Sequence, residues 1–177
     1  MALGMIQKAL LGGYFTFECF GADGKLKWTE GPIHNLVTTE GINHDLTILL
    51  KNGTVIDPWY VVIFESNTTP LAAHTYAVPG YTESTAYTEG TRPEFVDGAI
   101  AAGAINNSAS KAVFSINATK TIYGGALVGG GAAASTKADT AGGGKLLCSV
   151  LLGASRAVIS GDVLNVQYTF TLADDGV

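Results

Sequence analysis

Charge is scarce in this chain. Asp, Glu, Lys and Arg make up 14% of its 177 residues, where an average soluble domain carries about 25%. The net charge is −5, and the ten basic residues are scattered. No Lys/Arg cluster exists that would follow a phosphate backbone, which argues against nucleic-acid binding. Long apolar runs are lacking too. Hydrophobic residues reach 47% and mean hydropathy is +0.28, yet no run approaches the ~20 apolar residues of a membrane span. No membrane association is expected. The two cysteines, Cys19 and Cys148, stand far apart within apolar runs. They make no disulfide framework and are expected to be buried free thiols. The first eleven residues, MALGMIQKALL, have neither a basic start nor a sustained apolar segment. They do not read as a signal peptide, and synthesis in the cytoplasm is expected.

Recognisable chemistry is also lacking. Lys145 follows Gly142, Gly143 and Gly144, but a phosphate loop needs Gly where Asp139 stands and Ser or Thr where Leu146 stands. Gly124-Gly125 and Gly129-Gly130-Gly131 miss the dinucleotide spacing. GASRA at residues 153–157 lacks the second Gly of a nucleophile elbow, so Ser155 reads as a turn serine. His34, His44 and His74 have no ligand spacing. His44 and Glu40 share a helical face, but such a pair is far more often a solvated contact than a metal site. Glu83, Glu89, Glu94 and Asp97 near Tyr81 and Tyr87 evoke a paired-carboxylate site. An acidic, solvated loop is the favoured reading. No catalytic residue, cofactor site or metal site is expected, and the chain does not read as an enzyme.

What is present is strand-forming sequence. Trp59–Phe64 is six residues of β-branched and aromatic side chains between Pro58 and a turn-rich SNTTP segment (66–70). It reads as a strand covered on both faces. YFTFECF (14–20) alternates, with Phe15, Phe17 and Cys19 on one face, and GADG (21–24) turns it into a hairpin with LKWTE (26–30). Thr38 or Thr39 can cap a helix over about residues 39–52. Ile42, Leu46, Leu49 and Leu50 fall on one face of it, expected to pack on the sheets, and Gly53 is placed at its left-handed stop.

Residues 66–98 are irregular, with short strands expected at 85–88 and 94–97. Residues 111–117 and 121–128 are further strands joined by a tight connection at Thr119-Lys120. Residues 129–144 read as a flexible Gly/Ala/Ser/Thr loop. Residues 146–152 are mostly apolar, and 163–172 alternate, with Leu164, Val166, Tyr168, Phe170 and Leu172 facing in. That last strand is expected inside a sheet, not at its edge.

Seven or eight strands, one helix and no βαβ alternation predict an all-β protein: an antiparallel sandwich of jelly-roll type with one short α-helix. Residues 1–12 form an N-terminal arm, helical or extended, and residues 13–177 a single domain. The surplus of apolar over charged residues fits a surface partly covered by neighbouring subunits or a large β core padded with Gly and Ala. Low charge, apolar excess and long loops together point to a homo-oligomer, most simply a dimer. Met5, Ile6, Leu10 and Leu11 in the arm, and Tyr76, Tyr81 and Tyr87 in residues 66–98, are the candidate interface residues.

GKLKWTE (24–30), IHNLVTTEG (33–41), WYV (59–61), TAYTEGTRP (85–93) and the closing SGDVLNVQYT (160–169) resemble a family of small virion proteins of tailed bacteriophages. The resemblance runs through most of the chain, and its motifs are structural rather than catalytic. It implies a capsid cement or decoration subunit, a β-sandwich on the capsid exterior of the virion that binds the major capsid protein and stabilises the shell. Jelly rolls also serve as lectins. A receptor- or carbohydrate-binding module of a tail appendage is therefore the alternative, and fold alone does not choose between them.

Overall fold

The computed structural model describes residues 9–174. In chain order the elements are β1 (Ala9–Phe20), β2 (Leu26–His34), β3 (Leu36–Val37), α1 (Thr39–Lys51), β4 (Trp59–Phe64), β5 (Ala104–Asn106), β6 (Ala112–Ser115), β7 (Lys120–Gly129), β8 (Lys145–Val158) and β9 (Val163–Asp174). Two antiparallel sheets result. One runs β2-β1-β9-β5, with β6 also on β9; the other runs β3-β8-β7-β4. The expected all-β sandwich with one short helix is what the chain forms.

The core follows from strand alternation. Phe15, Phe17 and Cys19 of β1 and Leu164, Val166 and Tyr168 of β9 are wholly buried. They meet Val61, Ile63, Leu127, Leu147 and Val150 of the other sheet in one cluster. Each such side chain contributes roughly 1.5–3 kcal/mol by leaving water. As expected, β9 is central: it pairs with β1 along its whole length and with β5 and β6 on its other side. Its alternation fails towards the C-terminal end, where Leu172 is exposed and Thr169 is buried.

Strand β4 is covered on both faces. Val61 and Ile63 enter the main core. Val62 faces a second cluster with Tyr76, Ala126, Val128, Ala134 and Leu146 on the outside of the sheet. β4 ends its sheet, and residues 66–98 shield that edge, which would otherwise be an open template for pairing. Val61 N donates to Pro93 O, Phe95 N to Trp59 O, Glu65 N to Thr82 O and Ser84 N to Ile63 O, all at 2.8–2.9 Å. The two short strands expected here are only single bridges, Tyr87 to Ile116 and Glu94 to Tyr60, and Glu83 bridges to Phe64 just before the first. Gly90 and Pro93 interrupt any longer ladder.

Other expectations are corrected. The strand of the first sheet already starts at Ala9: Leu10 pairs with Ala173 and Leu11 with Leu172. Residues 9–12 are thus part of the sandwich, not of an arm, while Met5 and Ile6 lie outside the described residues. The tight connection expected at 119–120 is instead residues 116–119, with Lys120 already in β7, and it crosses between sheets, since β6 pairs with β9 and β7 with β8. Ser155 is not in a turn but lies within β8. There residues 152–155 face only Tyr123 between the Ile122–Arg156 and Gly124–Leu151 pairs, a bulge. Gly124 itself is obligatory. A Cβ there would sit 2.0 Å from Val150 O and 2.2 Å from the Phe64 ring.

Helix α1 begins as expected. Thr38 is the N-cap, its Oγ1 accepting from Gly41 N at 3.0 Å. It stops one residue earlier than expected: Asn52, at φ 53°, takes the left-handed position given to Gly53. Asn tolerates that conformation through local hydrogen bonding of its short side chain.

Candidate functional site

The helix faces the wrong way for an ordinary amphipathic element, which corrects the expectation that its aliphatic stripe packs on the sheets. Ile42 is 40% exposed, Leu46 47%, Leu49 68% and Leu50 77%. The side turned to the protein carries Gly41, His44, Asp45 and Ile48, all buried or half-buried. The cause lies at the first turn. A Cβ on Gly41 would meet Leu147 O at 2.6 Å, so the helix backbone lies directly on β8. Two polar anchors lock that contact. Thr38 Oγ1 donates to Leu146 O. Glu40 Oε2 accepts from Leu146 N and Tyr76 N, each at 2.8 Å. Glu40 is therefore committed to backbone groups rather than to His44, whose ring stands edge-on to Trp59 at 5.8 Å.

Two clefts flank residues 54–58. One, of about 580 Å³, lies between α1 and the Gly-rich loop and is lined by His44, Asp57, Tyr60, Ser135 and Lys145 among others. The second, of about 340 Å³, opens at one end of the sandwich. Its walls are Trp59, Leu127 and Leu147 of one sheet and Ile105, Tyr168 and Phe170 of the other, with Phe95 and Asp45. Asp45 lies here because α1 turns the face bearing Gly41, His44, Asp45 and Ile48 inward. Burial raises the Asp45 carboxyl above its ordinary range, with His44 opposing.

The remaining candidate residues are structural. Tyr76 and Tyr87 are 3% and 1% exposed, so neither side chain offers contact surface as proposed from the sequence. Tyr76 belongs to a polar knot around Arg92, itself 3% exposed. The Arg92 guanidinium donates to both Glu83 oxygens (Nε at 3.0 and 3.1 Å, Nη2 at 2.6 Å), to Tyr76 Oη, to Ala134 O and to Asp139 O. Glu83 is thereby a buried ion-pair partner, not part of a solvated acidic loop. Glu89 accepts from Ser115 N. Ala134 O and Asp139 O belong to residues 129–144, so that loop is pinned by the same arginine. Tyr87 stands edge-on to Phe114, with Lys137 Nζ 3.9 Å above its ring. Tyr81 is half-buried and stacks on Phe64 at 4.7 Å. Of the described arm residues, Leu10 is 57% exposed and Leu11 half-buried.

Both cysteines are free and buried, as expected. Burial, then the Asp162 charge, pushes the Cys19 thiol up to about 11. Burial pushes Cys148 to about 12. Neither offers a thiolate at neutral pH. Among the described residues no group of three or more His, Cys, Asp or Glu is placed to hold a metal, and no helix is long and apolar enough to cross a membrane. The geometry therefore defines a β-sandwich with one outward apolar helix face, two clefts beside residues 54–58 and a third, of about 270 Å³, at the Arg92 knot. Compared with known proteins, the chain matches no family model and no curated protein.

Proposed function

We propose that this is a non-enzymatic structural subunit of a phage virion, a cement or decoration protein seated on the outside of the major capsid protein shell. One observation carries the reading: the aliphatic stripe of α1, Ile42, Leu46, Leu49 and Leu50, lies on the surface while the helix turns Gly41, His44, Asp45 and Ile48 towards the sandwich. Scattered exposed hydrophobics are ordinary, but a contiguous row on one helix face marks an interaction surface. The Gly41 contact with β8 holds that row in place before any partner arrives, which lowers the ordering cost of binding. A single weak contact suffices on a shell, because many identical contacts act together. A dimer across a capsid seam would present two such faces.

The alternative, a receptor- or carbohydrate-binding tail module, is favoured by the cleft of about 580 Å³ that sets Tyr60 beside His44, Asp57 and Lys145. An aromatic face with polar neighbours is the kind of surface a sugar ring stacks on. Copy number separates the readings. Densitometry of purified particles should give on the order of hundreds of copies per particle for cement, acting through multivalency. A few to a few dozen would put the tail module first. Particles lacking the protein should burst at lower temperature; unchanged bursting would overturn the cement reading.

A further inference from the structure

The smaller cleft has a chemical character of its own, independent of the virion reading. Four of its walls are aromatic: Trp59, Phe95, Tyr168 and Phe170. Three carboxylates border it, Asp45, Asp57 and Asp97, and no Lys, Arg or His lines it. At about 340 Å³ it falls within the size range of small-molecule sites.

Two buried polar groups there lack partners. Tyr168 is 0% exposed, and its hydroxyl makes no hydrogen bond. The Cys148 thiol and the Asn35 amide are its polar neighbours. Asp45 Oδ2 is likewise buried and unpartnered. Native interiors pair nearly all such groups, because leaving one unpaired forfeits its full desolvation. Their persistence in a cleft is what a binding site for a polar-headed ligand looks like.

We propose that this cleft binds a small apolar organic cation, an ammonium group on a hydrocarbon or aryl body. The charge complements Asp45 at the inner wall and Asp57 and Asp97 at the rim. The aromatic faces attract a cation through their quadrupoles, an attraction that strengthens when water is excluded. The aliphatic walls of Leu127, Leu147 and Ile105 take the apolar body. An anion would meet three carboxylates and no cation.

The test uses three probes of one shape: 2-phenylethylammonium, 2-phenylethanol and 3-phenylpropanoate. Binding to the full chain is followed by methyl NMR of Ile105, Leu127 and Leu147 at pH 7. The ammonium should bind about tenfold more tightly than the alcohol, the worth of one charge-assisted contact, and the carboxylate should not bind. Asp45→Asn should abolish most of that advantage. Asp97→Asn, at an exposed position that the fold does not need, should reduce it in part. The proposal is overturned if the alcohol binds as tightly as the ammonium. It is also overturned if no probe shifts these methyls, or if both variants keep the wild-type ammonium-to-alcohol ratio.

Discussion

Residues 66–98 and helix α1 handle burial in opposite ways. The first region forms no strand beyond isolated bridges, yet it places Tyr76, Tyr87 and Arg92 in the interior. The second is a regular, capped helix of thirteen residues whose largest apolar side chains face outward. The difference lies in where backbone polar groups find partners. Residues 66–98 spend theirs on the edge of β4 and receive Arg92 as a central donor, so the chain can be irregular and still dry. The helix satisfies its own backbone internally and is anchored on the sandwich through Thr38, Glu40 and Gly41, with His44 against Trp59. Its remaining surface is free for something else.

The most direct way to break the irregular region is Arg92→Ala. It strands the Glu83 carboxylate, 6% exposed, in the interior. Breaking a buried pair from one side costs about 3–5 kcal/mol, a large part of the roughly 5–15 kcal/mol that holds a domain together. Urea unfolding should show the loss as a lower midpoint. Removing both charges, as Arg92→Met with Glu83→Leu, should recover only part of it. The stranded carboxylate is gone, but Ala134 O and Asp139 O still lose their donor. Full recovery would mean that the arginine's contacts to residues 129–144 carry no weight.

A second buried charge holds the turn before β9. Asp162, 2% exposed, accepts from Ile159 N at 2.9 Å and from Lys27 Nζ. Burial works against its charge, but the hydrogen bonds and the lysine outweigh it and hold the carboxyl below its ordinary range. A depressed folded pKa means stability that is present above the unfolded value, about 3.9, and lost as pH falls through the folded one. Asp162→Asn should therefore cost about 2 kcal/mol at pH 7, with the gap to wild type closing below about pH 4. Thermal melts across pH would check this; a gap that stays constant into acid would show that the charge is not what matters. Smaller still is Thr38→Ala, which removes the cap that seats α1. About 1 kcal/mol should be lost, read as a shift of the urea midpoint.

The sheets were legible in the sequence because period-two alternation is a local signal. Phe15, Phe17 and Cys19, and Leu164, Val166 and Tyr168, lie where their spacing puts them. Trp59–Phe64 was legible as doubly covered because no polar side chain interrupts it. The orientation of α1 was not. Its periodicity shows which residues share a face, but the inward side is set by one close approach, Gly41 on Leu147, between residues more than a hundred positions apart. Only the small residue at 41, in line with His44, Asp45 and Ile48, hinted at it. The burial of Tyr76 and Tyr87 was hidden for the same reason: Tyr76 depends on Arg92, which also gathers Glu83, Ala134 and Asp139, and Tyr87 on Phe114 and Lys137. The cleft is less legible still, since its walls come from five strands, one helix and two loops.

The last comparison concerns the helix itself. Leu46→Gln, Leu49→Gln and Leu50→Lys, combined, should change the stability of the isolated chain by no more than about 0.5 kcal/mol each. Leu49 and Leu50 are 68% and 77% exposed and Leu46 about half, and Gln and Lys have helix propensities close to Leu. A core leucine behaves differently: Leu164→Ala, at a wholly buried site, should cost about 2–5 kcal/mol. The informative readout is therefore association rather than unfolding. If α1 is the surface that meets a capsid protein or a second copy, the triple variant should keep its melting temperature and lose occupancy on particles, or dissociate in sedimentation equilibrium. A triple variant that melts as wild type and still assembles at full occupancy would leave the outward stripe without a task. A variant that unfolds would instead show that the helix packs its leucines on the protein after all, and the opposition between the two regions would collapse.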